Sequence, residues 1–404
     1  MLELKDFEAA ADRLKNVIHN IPLSTSCTFS GMSGAEVYLK YENQQKTGSF
    51  KVRGAYNKIM KRYAEGGDLH AVVASSAGNH AQGVAFAASS VGVKSTIVMP
   101  RSTPIAKVSA TQGYGAEVVL AGNIYDEAYA KACEICDETG AEFIHPFDDE
   151  DVMAGQGTIA LEILRDLPFV DMIFVPAGGG GLISGVAACA KQINPRIQVI
   201  GVQAEGAPAI ANSFRAGSLT PSETVRTIAD GIAVKTPGEK TFDYIQKYVD
   251  RVVTVSDDEI ASAVLLLLER AKQVVETSGA ASLAAVLNNK VDVKGKKVVC
   301  LLSGGNIDVS FIHKIVEKGL VTRCRHLKFS TIMPDAPGAL ERFAHLVAQQ
   351  NANIIRFQHD RVQADLDIGE AIIQVVCEVG GVEHAKRLLD EMSRQGYQVF
   401  TSQI

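Results

Sequence analysis

The chain has 404 residues, of which 47% are hydrophobic and 21% are charged, and its formal net charge is −6. This length predicts two or three globular domains, and the composition excludes a disordered or fibrous protein. The negative charge argues against nucleic acid as the main partner. No apolar run approaches the ~20 residues that a membrane-spanning helix needs. The N-terminus is acidic and shows no apolar export signal.

Cysteine usage indicates a reducing compartment. The seven cysteines are scattered and odd in number, which is typical of free thiols in a cytoplasmic protein. Cys133 and Cys136 form a lone CxxC within a run of helical spacing, and no second pair follows. We therefore interpret them as small apolar residues on a helix face and predict no metal site.

Up to residue 320, short runs rich in Val and Ile alternate with helical patterns, such as those at 123–139, 257–273 and 279–289. Runs of four to eight such residues are typical of buried parallel strands. The predicted strands are 71–75, 95–99, 117–120, 172–176, 198–203, 251–255 and 297–302. This alternation predicts a doubly wound α/β architecture, in which ligands bind at the carboxyl ends of the strands.

The last ~80 residues follow a different order, and we expect the boundary near residues 320–325. Strands are predicted at 327–333, 353–360, 370–379 and 398–401, and helices at 338–350 and 382–394. This βαββαβ order predicts a ferredoxin-like domain. Asp335 and Pro337 in the turn before the first helix predict an N-cap and an early-helix proline.

Four small-residue motifs are candidates for chemistry. Three follow predicted strands directly, and the fourth precedes a predicted helix. They read Ser75-Ser76-Ala77-Gly78-Asn79-His80, Gly178-Gly179-Gly180-Gly181-Leu182, Ser303-Gly304-Gly305-Asn306 and Thr47-Gly48-Ser49-Phe50-Lys51-Val52-Arg53-Gly54-Ala55.

The four consecutive glycines are compatible with a flexible loop or with a phosphate site. Exposed amides at a helix N-terminus bind anions, and glycine allows close approach. No Gly-Lys-Ser/Thr follows, and Ile183 occupies the third glycine position of a G-x-G-x-x-G fingerprint. Neither a nucleoside-triphosphate loop nor a standard dinucleotide site is therefore supported.

Lys51 lies in an unusual frame. Most lysines are surface residues, but this one follows Phe50 and stands between small residues. A lysine held in such a frame can lose its proton and form a Schiff base. A Schiff-base lysine together with a phosphate loop indicates pyridoxal 5'-phosphate, an aldehyde that carries a phosphate.

Taken in this order and at these separations, the four motifs resemble those of the threonine dehydratase (threonine ammonia-lyase) family. The resemblance covers residues 5–320 and implies a tryptophan-synthase-β-like α/β fold of PLP fold type II. Its catalytic region would span residues 1–320, with a small subdomain at about 47–146 inserted in the large one. Residues 326–404 resemble an ACT domain, a small amino-acid-sensing module, through Asp335-x-Pro337-Gly338-x-Leu340.

The resemblance also implies roles for individual residues. Lys51 would carry pyridoxal phosphate and act as the catalytic base, Phe50 would pack near its ring, and Asn79 would bind its 3-hydroxyl. Ser303 would face the pyridine nitrogen. The phosphate would be held by Gly178, Gly179, Gly180, Gly181 and Leu182. The substrate carboxylate would be surrounded by Ser76, Asn79, His80 and Gln82.

The implied reaction is α,β-elimination of L-threonine to 2-oxobutanoate and ammonia, and of L-serine to pyruvate. A serine racemase or serine dehydratase of the same fold is the alternative. Racemases carry a serine where this chain has Ala77, and of their acidic metal ligands only Glu205 has a match, because Ala211 occupies the second position. A cysteine-synthase-like enzyme is disfavoured, because its Ser-Gly-Asn-Thr pattern is absent. A non-catalytic amino-acid sensor is disfavoured by Lys51, Asn79 and Ser303.

Regulation is implied by the ACT resemblance. We expect the C-terminal module to bind an amino-acid effector, with isoleucine as the first candidate and valine as its opponent. We also expect a homo-oligomer, with a homotetramer favoured, and a place in isoleucine biosynthesis.

Overall fold

The protein is described by a computed structural model that covers residues 1–66, 69–362 and 366–401. The chain divides into two compact units, Met1–Ile307 and Asp308–Ile404. We predicted the boundary at residues 320–325, and it lies earlier. The helix Val309–Thr322 belongs to the C-terminal unit, because it packs against the strand His326–Pro334 of that unit.

The N-terminal unit contains parallel strands that alternate with helices. Its strands are β1 (Ser24–Thr25), β2 (Glu36–Tyr41), β3 (Ala71–Ser75), β4 (Lys94–Met99), β5 (Glu117–Leu120), β6 (Glu142–Phe143), β7 (Met172–Pro176), β8 (Gln198–Ala204), β9 (Arg251–Val255) and β10 (Lys297–Leu302). Its helices are α1 (Leu4–Leu14), α2 (Cys27–Ser33), α3 (Lys51–Ala64), α4 (Asn79–Ser90), α5 (Ile105–Gly113), α6 (Tyr125–Thr139), α7 (Glu150–Asp166), α8 (Gly181–Ile193), α9 (Ala209–Ala216), α10 (Glu239–Tyr248), α11 (Asp257–Leu266) and α12 (Thr277–Leu287).

These strands form two sheets. The larger sheet has the order β1-β2-β10-β7-β8-β9 and is parallel except for the edge strand β1. The smaller sheet has the order β5-β4-β3-β6 and is parallel throughout. All seven strands predicted in this region are confirmed, with β4 and β8 one residue longer than predicted. The α/β architecture is thus the one that the alternation of strands and helices predicted.

Three strands of this unit were not predicted. β1 and β6 have only two residues each, which is too short for a sequence pattern. β2 carries Glu36 and Lys40, so it lacks the continuous apolar run of its neighbours. Lys40 is nevertheless fully buried, because Glu162 of α7 lies 2.6 Å from its Nζ and pairs with its charge.

The helix predicted at 257–273 is shorter than expected. The α-helix ends at Leu266 and continues as a π-helical turn, Leu267–Ala271, before Lys272 adopts φ +58. Cys133 and Cys136 lie on α6 as free thiols, and Cys136 packs on the apolar core beside β3. Within the described residues, no helix has the length and apolar character that crossing a membrane requires.

The C-terminal unit is ferredoxin-like, as predicted. It contains α13 (Val309–Thr322), β11 (His326–Pro334), α14 (Ala339–Gln349), β12 (Asn353–Asp360), β13 (Glu370–Glu378), α15 (Val382–Arg394) and β14 (Gln398–Phe400). The sheet is antiparallel with the order β12-β13-β11-β14, and its helices bury Phe343 and Leu388 against it. The residue that caps α14 is Gly338 at φ +82, and Asp335 instead pairs with Arg361 at 2.8 Å. The predicted N-cap at Asp335 is therefore wrong, and Pro337 lies before the cap and not within the helix.

Candidate active site

A cavity of about 1550 Å³ lies at the carboxyl ends of β3, β7 and β10 in the N-terminal unit. Strands of both sheets end at this cavity, so the loops that follow them meet there. All the site residues predicted from the sequence line it, namely Phe50, Lys51, Ser76, Asn79, His80, Gln82, Gly178, Gly179, Gly180, Gly181, Leu182 and Ser303. Residues more than 250 positions apart in the sequence therefore face one space.

Lys51 is the first residue of α3 and extends into the cavity. Its Nζ donates a hydrogen bond to the backbone oxygen of Pro146 at 2.7 Å and lies 5.3 Å from the centre of the Phe50 ring. Burial lowers the pKa of Lys51 from 10.5 to about 8, although the negative charge of Glu276 opposes this shift. Lys51 therefore has a larger fraction of neutral amine near neutral pH than an ordinary lysine, which suits both a nucleophile and a base.

The glycine loop joins β7 to α8 and is tightly packed. Gly180 caps α8 at φ +102, a conformation that favours glycine. A Cβ atom at Gly179 would lie 2.3 Å from the Phe147 ring, and one at Gly180 would lie 2.7 Å from Thr241 Oγ1. Because the amides of the first turn of a helix have no acceptor within the helix, this loop presents donors to an anion. The glycines are thus required by close packing, which excludes a merely flexible loop.

The second motif forms the N-terminus of α4. Ser76 Oγ accepts a hydrogen bond from the amide of Gly78 at 3.2 Å, and Asn79 is the first helical residue. The His80 ring contacts the backbone oxygen of Ile144 through Nε2 at 2.8 Å. Burial and the charge of Lys51 lower the pKa of His80 to about 3, so the ring is neutral. A substrate carboxylate bound at this helix end would contact backbone amides and hydroxyl groups. The neutral His80 ring would offer it no positive charge.

Asn79 belongs to a polar cluster that includes an unexpected residue, Glu276. Asn79 Nδ2 lies 2.9 and 3.0 Å from the two carboxylate oxygens of Glu276. Asn306 Nδ2 donates to Asn79 Oδ1 at 2.7 Å and to the backbone oxygen of Thr47 at 2.8 Å. Ser303 follows β10 in the same wall and is buried, and its backbone oxygen accepts from the amide of Phe50 at 3.1 Å. Three of the four sequence motifs therefore contact one another directly.

Sequence reasoning missed several residues of the cavity wall. Glu276 precedes an Ala-rich helix, and nothing in its local pattern distinguishes it from a solvent-exposed helix start. Pro146 and Phe147 come from a loop after the two-residue strand β6, which the sequence did not predict. The loop 230–236 also lines the cavity. These residues line the cavity because segments that are distant in the sequence pack together there. No local sequence pattern predicts that packing.

The donor set of the cavity fits pyridoxal phosphate. An amine of lowered pKa suits an aldehyde, and four glycines at a helix start suit a phosphate. The hydroxyls of Ser75 and Ser278 are buried in the cavity wall, and neither has a hydrogen-bond partner among the described residues. Buried polar groups in proteins are normally paired. A polar ligand in this cavity would therefore provide hydrogen-bond partners for these two hydroxyl groups.

Replacing Gly180 with alanine is expected to weaken pyridoxal phosphate binding by at least roughly tenfold, or about 1.4 kcal/mol. The added Cβ would force the loop away from Thr241, and the amides of α8 would then no longer converge. Gly217→Ala is the matched control, because Gly217 also has a positive φ, +70, but has nothing within 4 Å of the added atom. Absorbance titration of both proteins measures the affinity. Equal affinities in the two variants would place the phosphate elsewhere.

The chain is similar to known enzymes over most or all of its length. The sequence profile of the family described as "Pyridoxal-phosphate dependent enzyme" matches residues 14–304. An L-threonine ammonia-lyase of Thermotoga maritima is 50% identical over 399 residues, which cover 99% of this chain and 99% of that protein. That similarity extends through both units.

Two solved structures are similar to more than three quarters of the chain. The processed form of threonine deaminase isoform 2 from Solanum lycopersicum is 39% identical, with a TM-score of 0.74, and the match covers 78% of this chain and 86% of that one. A maize serine racemase is 35% identical, also with a TM-score of 0.74, over 79% of this chain and 98% of that one. A threonine deaminase and a serine racemase therefore share this fold.

Proposed function

The chain belongs to the family of pyridoxal-phosphate-dependent enzymes, and we propose that it is an L-threonine ammonia-lyase, which forms 2-oxobutanoate and ammonia and also acts on L-serine. The observation that carries this proposal is the full-length similarity to an L-threonine ammonia-lyase, 50% identity over 99% of the chain. The geometry supports it, because Lys51 and the glycine loop line one cavity.

Each wall of the cavity has a distinct task in this reaction. When bound, pyridoxal phosphate supplies an electron sink for the bond between the substrate Cα and its hydrogen. Lys51 Nζ takes that proton as general base. The amides at the start of α4 and the Ser76 hydroxyl hold the substrate carboxylate, which fixes the amino acid. The amides of the glycine loop would hold the phosphate, and Ser303 is the residue that would face the ring nitrogen.

A serine racemase is the second candidate, because a maize serine racemase shares the fold at 35% identity. Racemisation needs a proton donor on the face of the substrate opposite Lys51. Ala77 occupies the cavity wall immediately before Gly78 and has no proton to give. Glu205, the one acid that matches a racemase metal ligand, lies 3.8 Å from Lys290 Nζ in an ion pair. Elimination is therefore favoured.

Product analysis of the purified protein tests this assignment. We expect 2-oxo acid release from L-threonine and from L-serine, and negligible D-serine when the remaining serine is separated on a chiral column. The same protein treated with hydroxylamine, which removes pyridoxal phosphate, is the control. D-serine formation faster than pyruvate release would favour the racemase, and absence of both reactions would overturn the proposed function.

We further propose that residues 326–404, within the C-terminal unit, form an ACT regulatory domain that binds an amino-acid effector. Its ferredoxin-like sheet and the turn from Asp335 to Leu340 support this proposal. Isoleucine is the first candidate effector, and valine is the candidate for an effector of opposite sign. Both are expected for an enzyme of isoleucine biosynthesis. The edge strands β12 and β14 leave backbone groups for pairing across subunits, which supports a homo-oligomer, with a homotetramer favoured. The seven free cysteines support a cytoplasmic location.

Ending the chain after Ile307 is expected to leave threonine turnover intact and to abolish the response to isoleucine. The division between the units lies there, so the cut removes α13 together with the sheet on which it packs. Threonine saturation curves with and without isoleucine measure the response. A coupling of ~1–3 kcal/mol would shift the threonine affinity of the full chain roughly 5–150-fold.

A full-length variant serves as the control for truncation. Gly338 precedes α14 at φ +82, so Gly338→Ala strains the turn while keeping both units. We expect it to raise the isoleucine concentration that gives half the response without altering turnover in its absence. If the shortened chain keeps the full isoleucine response, the effector binds the N-terminal unit and the regulatory proposal is wrong.

A further inference from the structure

Glu276 is a buried carboxylate in the wall of the cavity, and the reaction described above gives it no role. Only 6% of the residue is exposed to solvent. It stands at the N-cap position of α12, where a capping side chain accepts hydrogen bonds from the helix amides. Here the side chain makes no capping hydrogen bond. The carboxylate therefore does not cap the helix that it precedes.

The carboxylate instead faces Asn79 and Asn306. Its two oxygens accept from Asn79 Nδ2 at 2.9 and 3.0 Å, and it also accepts from the backbone amide of Asn306. Gly304 lies against it, since a Cβ at that position would be 2.5 Å from Oε1. The carboxylate is thus confined on three sides by the loop that follows β10 and by the first residue of α4.

This arrangement determines which way the Asn79 amide points. A carboxylate can only accept, so the NH₂ group of Asn79 must face Glu276. Asn306 Nδ2 can only donate, so the oxygen of Asn79 must face Asn306, at 2.7 Å. A rotation of the amide by 180° would set two donors against each other and an oxygen against the carboxylate. Glu276 and Asn306 together therefore exclude the flipped amide.

An amide nitrogen has two hydrogens, and Glu276 occupies one direction only. We propose that Glu276 is a positioning residue, which holds Asn79 so that its amide presents a hydrogen-bond donor to bound pyridoxal phosphate. The inference rests on the proposed active site, because it assigns the partner of a cavity residue. On this proposal Glu276 affects the affinity for pyridoxal phosphate only through Asn79.

The role does not require Glu276 to be fully ionised, because a protonated carboxyl group keeps a carbonyl oxygen that accepts from Asn79. Burial raises the pKa of Glu276 to about 7, the negative charge of Asp230 adds to the shift, and Asn79, Lys107 and the Asn306 amide oppose it. Lys51 also interacts with it electrostatically. Among the described residues, no lysine or arginine lies within 4 Å of its oxygens. Its hydrogen-bond partners are therefore the two asparagines, as a positioning role requires.

A double-mutant cycle on the full-length holoenzyme tests the inference. Asn79→Ala and Glu276→Ala are each expected to weaken pyridoxal phosphate binding by roughly tenfold, or about 1.4 kcal/mol. The double variant is expected to bind within about twofold of the weaker single variant, because residues that act as one unit are not additive. Absorbance titration measures the dissociation constants. A double variant that is roughly a hundredfold weaker would mean independent action and would overturn the inference.

Two further variants keep the test decisive. Glu276→Gln retains an oxygen that accepts from Asn79, so we expect its cofactor affinity to stay within about threefold of the wild type. A loss as large as that of Glu276→Ala would contradict the inference, and this comparison remains available if the alanine variant does not fold. Glu259→Ala is the matched control, since Glu259 serves the capping box of α11. It should lower the melting temperature and leave cofactor affinity unchanged.

The wild-type protein separates this inference from the proposed function. If the wild type binds pyridoxal phosphate and releases 2-oxo acid from threonine, the proposed function holds whatever the cycle gives. If it does neither, the proposed function fails before any variant is compared.

Discussion

Lys51→Ala is expected to lower threonine turnover by far more than any other single substitution in the cavity. The variant loses both the amine that holds pyridoxal phosphate and the base that takes the substrate proton. Loss of a general base alone costs typically ~10²–10⁴-fold. Release of 2-oxobutanoate at saturating cofactor measures the effect, and the visible absorption band of the bound cofactor gives a second readout.

Lys61→Ala is the matched control for this substitution. Lys61 lies ten residues further along α3 and pairs with Asp151 at 2.6 Å, away from the cavity. It should retain nearly full activity. Adding a small primary amine to Lys51→Ala should restore part of the turnover, because the missing group is a neutral amine. Retention of more than roughly a tenth of wild-type activity without added amine would exclude Lys51 as the base.

The second large effect is expected at Arg53, which lies two residues after Lys51 and is fully buried. Its guanidinium forms two hydrogen bonds with the carboxylate of Glu42, both at 2.8 Å, and two with Glu162, at 2.7 and 2.9 Å. The two acidic groups raise the pKa of Arg53 further, against the opposing effect of burial. Arg53 thus joins α3 to α7 and to the turn after β2, close to the point where Lys51 enters the cavity.

Arg53→Met is expected to lower the free energy of unfolding by about 3–5 kcal/mol, because it leaves the buried carboxylate of Glu42 without a cation and leaves Glu162 with Lys40 alone. Arg62→Met is the control on the same helix, since Arg62 pairs with Glu142 at 2.8 Å but is 45% exposed. Such a surface pair contributes ~0–1 kcal/mol. Urea unfolding at pH 7 measures both. A loss below roughly 1 kcal/mol in Arg53→Met would show that the buried pairs do not stabilise the native state.

The cluster also has a defined pH dependence. The guanidinium of Arg53 and the ammonium of Lys40 outweigh burial and lower the pKa of Glu162 below its usual value. A carboxyl group with a lowered folded-state pKa stabilises the fold above its unfolded pKa of 4.5, and this contribution is lost as the pH falls through the folded value. The stability difference between wild type and Arg53→Met should therefore shrink as the pH is lowered below 4.5.

Most of the fold could be predicted from the sequence, because short strands of a parallel sheet have a strong local signature. The strands β3, β5, β7, β9 and β10 begin and end at the predicted residues. Each contains at least two residues of Val, Ile or Leu within four to six positions and is bounded by turn residues, and such a segment has few alternatives. The ferredoxin-like order of the C-terminal unit is predictable for a related reason, since its strands alternate and its helices are amphipathic.

The chemical character of the cavity was also contained in local sequence. Glycines at 178–181, Lys51 in a small-residue frame and Asn79 at a helix start are each defined by their neighbours in the chain. A parallel sheet brings the ends of its strands to one edge, so motifs that follow strands are expected to meet. The twelve predicted site residues therefore line a single cavity.

Tertiary structure alone decided the residues whose role depends on a distant partner. Glu276 is one of 46 acidic residues in the chain, and only the approach of Asn79, 197 positions away, makes it part of the cavity. Lys40 lies in a strand that also carries Glu36, and its burial depends on two distant acceptors, the carboxylate of Glu162 and the backbone oxygen of Ile21. The sequence determined the elements and the reactive groups, because these follow from local pattern. The partners of buried charges depend on how the elements cross, which no local pattern contains.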